Sequence, residues 1–271
     1  MKYLSIAVVL VAVVFVAAIC SHEFTLFQFI VLFGIGLFAG FMSGMFGIGG
    51  GSVRIPLLNL AGLHLLTAFA INLFVIPFSS LIGAITQRRN VDSQIVVYVI
   101  IGGTLGSIAG AFIVGLVKSL TLAIIFVIVS TITVLGIYLD RIAPWLYQRI
   151  KPSPKSIIPL SLLLNLITGM RGGSGGSLFP PFLRAMKLDI HKAVATSLVA
   201  TIFTALPAII VYWNRGNISW LPAVLVLVGS MMGARIGSKM SLRTKPFWLE
   251  LGLSILVITL ALIVVYKALL P

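Results

Sequence analysis

The sequence predicts an all-α polytopic membrane protein made of two inverted repeats, and three observations lead there. The chain is 60% hydrophobic and only 9% charged, with a mean hydropathy of +1.19, whereas a soluble domain carries about 25% charged residues. Its apolar residues gather into runs of the length a membrane helix needs, about 20 residues, with none of the short alternating strands of a barrel. One glycine-rich stretch is also written twice. Gly44 to Pro56 reads GMFGIGGGSVRIP and Gly169 to Pro181 reads GMRGGSGGSLFPP, at a constant offset of 125 residues without a gap.

Residues 1–25 hold the first apolar run, 4–20, behind Lys2. A retained transmembrane helix is expected there rather than a cleaved signal, because bulky Ile19 stands before Cys20 where cleavage prefers a small residue. The first repeat, 26–139, starts with 26–45, breaks at the glycines, resumes at 53–60, and continues with runs at 66–86, 94–116 and 119–139. Residues 140–156 contain three prolines and form a polar cytoplasmic linker. The second repeat, 157–271, follows the same order, with 157–171, the glycine break, 178–186, 190–213, 219–238 and 247–269. Similarity extends beyond the motif. Gly102, Gly106 and Gly110 match Gly229, Gly233 and Gly237 at an offset of 127. Glycine at every fourth position gives a flat helix face that another helix can approach closely.

Lysine and arginine concentrate in cytoplasmic loops, which fixes the path of the chain. With 140–156 placed inside and each glycine break made the tip of a re-entrant hairpin, 14 basic residues lie inside and 3 outside. If both motif segments cross completely, the count becomes 8 inside and 9 outside. The hairpin arrangement is therefore the expectation, with the N-terminus cytoplasmic. Each repeat then has one hairpin and three crossings, an odd number, so the halves have opposite orientation. That is the inverted-repeat plan of secondary transporters, whose sites sit at broken helices near the midplane.

Two of the 19 basic residues fall within the glycine motifs rather than in loops: Arg54 and Arg171. A cation within the membrane costs at least about 2.5–3.5 kcal/mol on insertion scales and marks a candidate functional group. The five carboxylates, Glu23, Asp92, Asp140, Asp189 and Glu250, fall in loops or at helix ends, so an anionic substrate is the natural partner for these arginines. Snorkelling or a structural role is the plainer alternative. Short helices starting near Ser52 and Ser177 would point unpaired N–H groups at an anion. Gly49, Gly50, Gly51, Gly175 and Gly176 would let it approach the backbone, and Ser52, Ser174 and Ser177 could add hydroxyls. On the following helices Asn72 and Ser197 align at offset 125, with Thr196 beside Ser197. Threonine and serine in helices often bond only their own backbone. Pro77 and Pro207 are expected to bend these helices.

Other chemistries fare worse. His22, His64 and His191 lie at predicted membrane edges and form no metal cluster. No cofactor is expected, and a net charge of +14 spread between apolar runs does not suggest nucleic acid. The lone cysteine, Cys20, excludes an internal disulfide. Gly172 to Gly176 satisfies G-x-S-x-G, the nucleophile elbow, but Ser174 lacks a nearby base and its counterpart in the first repeat is Gly49. A passive anion channel is the second reading and an intramembrane hydrolase the third. The partners expected are a small anion and the lipid bilayer, with a homodimer left open.

The duplicated glycine motif followed by proline, the A-T-S-L element at Ala195 to Leu198 and the G-N-I-S-W stretch at Gly216 to Trp220 resemble the TauE/SafE family of membrane permeases, often called sulfite exporters. The resemblance covers 26–269. It implies transport of small anions such as sulfite, sulfonates or related organic acids across the cytoplasmic membrane, without enzymatic activity. Ala70-Ile71-Asn72-Leu73 departs from Ala195-Thr196-Ser197-Leu198 at the matching place, which leaves room for a substrate other than sulfite.

Overall fold

Glycine spacing decides which helices touch. The computed structural model describes residues 26–113, 119–170, 173, 175–214 and 218–269, and among these all regular structure is helical. The first repeat supplies α1 (Leu26–Phe46), α2 (Gly51–Leu60), α3 (Leu65–Thr86), α4 (Ser93–Ile113) and α5 (Ser119–Ile137). Two short helices, α6 (Leu139–Ile142) and α7 (Pro144–Arg149), occupy the linker. The second repeat supplies α8 (Pro154–Gly169), α9 (Phe179–Ala185), α10 (Ile190–Asn214), α11 (Trp220–Arg243) and α12 (Pro246–Leu269). Among the described residues six helices, α1, α3, α4, α10, α11 and α12, are long and apolar enough to cross a membrane. The expected N-terminal helix lies outside the described residues.

Boundaries differ from the sequence expectation where capping decides them. Helix α8 starts at Pro154 because proline suits the first helical position and the Ser153 N–H bonds Ser156 Oγ at 3.3 Å. The linker, expected as a polar connection, folds into α6 and α7. Helix α9 starts at Phe179, so Ser177 lies in the turn before it rather than on the helix.

The every-fourth glycines of each repeat serve the other repeat. A Cβ added at Gly229, Gly233 or Gly237 on α11 would stand 2.0–2.4 Å from the carbonyl oxygens of Phe33, Leu37 and Phe41 on α1. Gly36, Gly40 and Gly44 return the contact onto Val226, Ser230 and Ala234. The glycines of the first repeat do likewise, with Gly102, Gly106 and Gly110 of α4 against Ile158, Leu162 and Leu166 of α8. Both seams run parallel, since the numbers rise together on the two partners.

The central pair is antiparallel. Helices α3 and α10 hold matching positions in the two repeats; Gly83 lies against Leu198 and Ser80 against Thr201, while Ala70 and Leu73 share an apolar cluster with Ala208. Numbers on α3 fall as those on α10 rise, so equivalent helices run in opposite directions where they meet.

The first glycine break is a hairpin. Gly50 lies against Ala39 and Ser43 of α1, and Leu58 of α2 joins Leu32, Ile71, Val75 and Val226 in one core cluster. Helix α2 therefore returns along α1 toward its start. At about 1.5 Å per residue the 21 residues of α1 extend roughly 31 Å. Their end reaches far across the protein, since the carbonyl of Gly44 accepts from Gln87 Nε2, just beyond α3, at 2.8 Å.

Candidate functional site

Arg54 is the centre of the described site. It stands on α2 one turn after the break, is 0% exposed, and is among the largest side chains so buried. Its Nη1 donates to Asn72 Oδ1 at 2.7 Å and its Nη2 to Ser230 Oγ at 3.1 Å. The Ser230 hydroxyl in turn donates to the Gly36 carbonyl at 3.0 Å. Nε has no hydrogen-bond partner. Asn72 and Ser230 belong to α3 and α11, so the guanidinium ties the first hairpin to both repeats. Among the described residues the ion pairs are those of Arg184, with Glu250 at 2.6 Å and Asp140 at 3.4 Å. The charge of Arg54 is met there by neutral oxygens alone.

The glycines make this geometry reachable. Gly49 and Gly50 have φ of 69° and 75°, a left-handed region in which a side chain costs about 1–2 kcal/mol. Gly50 caps α2 with no side-chain bond to the free N–H groups, and a Cβ there would lie 2.9 Å from Arg54 Nη2. A Cβ at Gly51 would lie 2.7 Å from Asn72 Nδ2. Ser43, one turn back on α1 and 0% exposed, keeps its Oγ without a partner. Ser52 is half-buried on the first turn of α2.

The two breaks abut. A Cβ at Gly176 would stand 2.6 Å from the carbonyl oxygen of Ile48 and 2.7 Å from Thr201 Cγ2. Ser197 Oγ donates to the Gly47 carbonyl at 2.7 Å, so Ser197 holds the first break from the second repeat. Ser177 is buried beside Gly176. Thr196 goes elsewhere. Its Oγ1 accepts from the Asp92 N–H at 3.0 Å, in the connection between α3 and α4. His64 and His191 sit at helix starts, as expected. Arg171 and Ser174 lie outside the described residues, and with them the second expected cation.

The matching place in the second half is built differently. At offset 125 Phe179 replaces Arg54 and Asn165 replaces Gly40; at offset 127 Gly103 replaces Ser230. The Phe179 ring packs within 3.1 Å of where a Gly103 Cβ would lie, repeating the Arg54–Ser230 contact with apolar atoms. Asn165 Nδ2 donates to the Gly103 carbonyl, and its Oδ1 accepts from Thr168 Oγ1 at 3.2 Å. Gly175 fits where its Cβ would collide with Asn165 and Phe179. Neither Ser230 nor Asn165 was foreseen, because α11 also carries Ser238 and Ser241, α8 also carries Ser161 and Thr168, and residue type does not single one out. The signal was available, since offset alignment puts both opposite glycine.

The family model for sulfite exporter TauE/SafE matches residues 32–264. The chain belongs to the TauE/SafE family. It is similar to the probable membrane transporter protein YdhB of Bacillus subtilis, 28% identical over 223 residues, covering 78% of this chain and 87% of that protein. The Escherichia coli probable membrane transporter protein YfcA is 27% identical over 219 residues, with 78% and 80% covered. A shorter stretch of 51 residues is 49% identical to the probable membrane transporter protein MJ0441 of Methanocaldococcus jannaschii, 19% of each chain. No solved structure matches the chain.

Proposed function

We propose that this TauE/SafE membrane transporter is a secondary carrier or facilitator of a small oxyanion, sulfite or a sulfonate being the leading class, bound at Arg54 between the paired glycine breaks. One observation carries the reading: a guanidinium with no exposure sits on neutral partners only, beside a helix start whose N–H groups have no side-chain cap. A buried cation held that way keeps most of its charge for a ligand. Gly50 and Gly51 let an oxyanion approach the backbone, while Ser43 Oγ and Arg54 Nε supply groups with no other partner. Glycine-break residues of the second half, Gly175, Gly176 and Ser177, close the site from the other side.

The two repeats are inverted about the site, as the antiparallel run of α3 against α10 supports, and the protein resides in the cell membrane with its N-terminus cytoplasmic. Alternating access exposes Arg54 to each face in turn. The test is uptake of sulfite, methanesulfonate, sulfate and acetate by vesicles containing the purified protein, with wild type against Arg54→Met. Uptake of one anion class that the variant loses is expected. Uptake unchanged in the variant removes Arg54 from the pathway. Currents far above carrier rates would make the protein a channel.

A further inference from the structure

We propose that the linker between the repeats, residues 140–156, is a foot that lies on the bilayer surface and binds anionic phospholipid headgroups. This goes beyond the transport reading and stands without it.

The linker shows apolar side chains that a loop in water would hide. Ile142 and Trp145 are each 63% exposed and Leu146 is 40% exposed. Ile142 ends α6, and Trp145 and Leu146 stand in the first turn of α7, with only Ala143 between the two helices. The neighbouring helices say what covers them. Ile132 and Leu135 at the end of α5, and Leu160 and Leu163 on α8, are exposed apolar residues on helices that belong to the membrane region. The linker continues that apolar surface at its edge, where tryptophan settles with its ring at headgroup level.

Its charges select the headgroup. Asp140 is the only carboxylate in the linker, and it turns inward to Arg184 at 3.4 Å. Arg141, Arg149, Lys151 and Lys155 remain on the exposed side. Arg149 lies 5.7 Å from the Trp145 ring centre and Arg141 lies 5.9 Å from that of Tyr138, so these cations sit beside the rings that mark headgroup depth. Cations beside a bilayer favour anionic lipid by up to about fivefold per charge.

The foot is also fastened to α9 and the turn that follows it. Besides the Asp140–Arg184 pair, Lys187 Nζ donates to the Gln148 carbonyl at 3.2 Å and stands 5.1 Å from the Tyr147 ring centre. Lipid held by the foot therefore bears on the helix that follows Gly175 and Gly176.

The experiment keeps Trp145 as the single tryptophan, with Trp213→Phe, Trp220→Phe and Trp248→Phe in the full chain. The protein is reconstituted in phosphatidylcholine containing phosphatidylglycerol, and either lipid carries brominated acyl chains. Brominated phosphatidylglycerol is expected to quench Trp145 more strongly than brominated phosphatidylcholine at equal mole fraction. Adding Arg141→Gln, Arg149→Gln and Lys151→Gln should erase that preference while quenching persists. Equal quenching by both lipids with the charges intact overturns headgroup selection, and emission untouched by either overturns the foot. If the charge variant does not fold, the comparison of the two lipids on the native charges still decides.

Discussion

Replacing Arg54 by Met separates a substrate cation from a structural one. The change removes two buried hydrogen bonds, to Asn72 at 2.7 Å and Ser230 at 3.1 Å. Hydrogen bonds to a charged group contribute about 1.5–3 kcal/mol each. Against that, the variant no longer buries a cation, which costs about 2.5–3.5 kcal/mol on insertion scales. Methionine also fills part of the vacated volume. The terms offset to a net loss of roughly 0–3 kcal/mol, so the variant folds. Its response to ligand is another matter. An anion at a hundred times its Kd adds about 2.7 kcal/mol of stability, or roughly 5–10 °C in Tm for a chain of this size. Thermal unfolding of purified wild type with sulfite, sulfonates, sulfate and carboxylates should reveal one stabilising class, and Arg54→Met should show no response to it. Arg54→Lys keeps charge but not the two-pronged fork, and should respond weakly. A Met variant stabilised as much as wild type by the same anion refutes the site.

Further outcomes follow from the same contacts. Ser230→Ala leaves Arg54 Nη2 and the Gly36 carbonyl without their hydroxyl partner; titration should show anion affinity falling about tenfold, from one lost charged hydrogen bond. Gly50→Ala should abolish anion binding and lower stability by at least about 1–2 kcal/mol, because the methyl meets both the Ala39 carbonyl and Arg54 at 2.9 Å. Gly233→Val should prevent recovery of folded protein, its Cβ falling 2.0 Å from the Leu37 carbonyl, whereas Gly34→Val, with nothing within 4 Å, should be recovered normally. A disulfide between Ser80→Cys and Thr201→Cys, in a chain with Cys20 replaced, should stop vesicle uptake when oxidised and restore it when reduced, since those hydroxyls lie 3.4 Å apart across α3 and α10.

Much of the architecture was legible because hydropathy, glycine and offset each report a different thing. Apolar runs gave the long helices, since a lipid-facing helix hides little of its composition. Glycines at every fourth place announced flat faces, but not that α1 would lie on α11 and α8 on α4, because a glycine does not name the backbone that approaches it. Arg54 stood out as a charge in an apolar run. Ser230 did not, since a serine bonded to its own helix and one bonded to a guanidinium look alike in sequence. Thr196 and Ser197 show a finer limit. Adjacent helical residues point about 100° apart, so one hydroxyl reaches Asp92 and the other Gly47. The linker helices were missed because four and six residues are too few for a helical period.

The seams constrain how access can alternate. A motion that rocked the first repeat against the second as two solid blocks would have to part α1 from α11 and α4 from α8. Those are the contacts in which backbone lies on backbone, with glycine after glycine admitting a neighbouring carbonyl, and sliding past them would meet interlocked atoms at every turn. The α3–α10 contact is of another kind: side chains such as Leu198 over Gly83 and hydroxyls 3.4 Å apart, which can change partners at little cost. In the proposed carrier the units able to move are then crossed ones, α1 with α11 on one side and α4 with α8 on the other. Arg54 belongs to the hairpin of the first unit and bonds Ser230 on α11 within it, but Asn72 lies on α3. Ile71 and Val75 of that helix share a core cluster with Leu32 of α1 and Val226 of α11, so in the proposed carrier both partners of the guanidinium stay with the first unit.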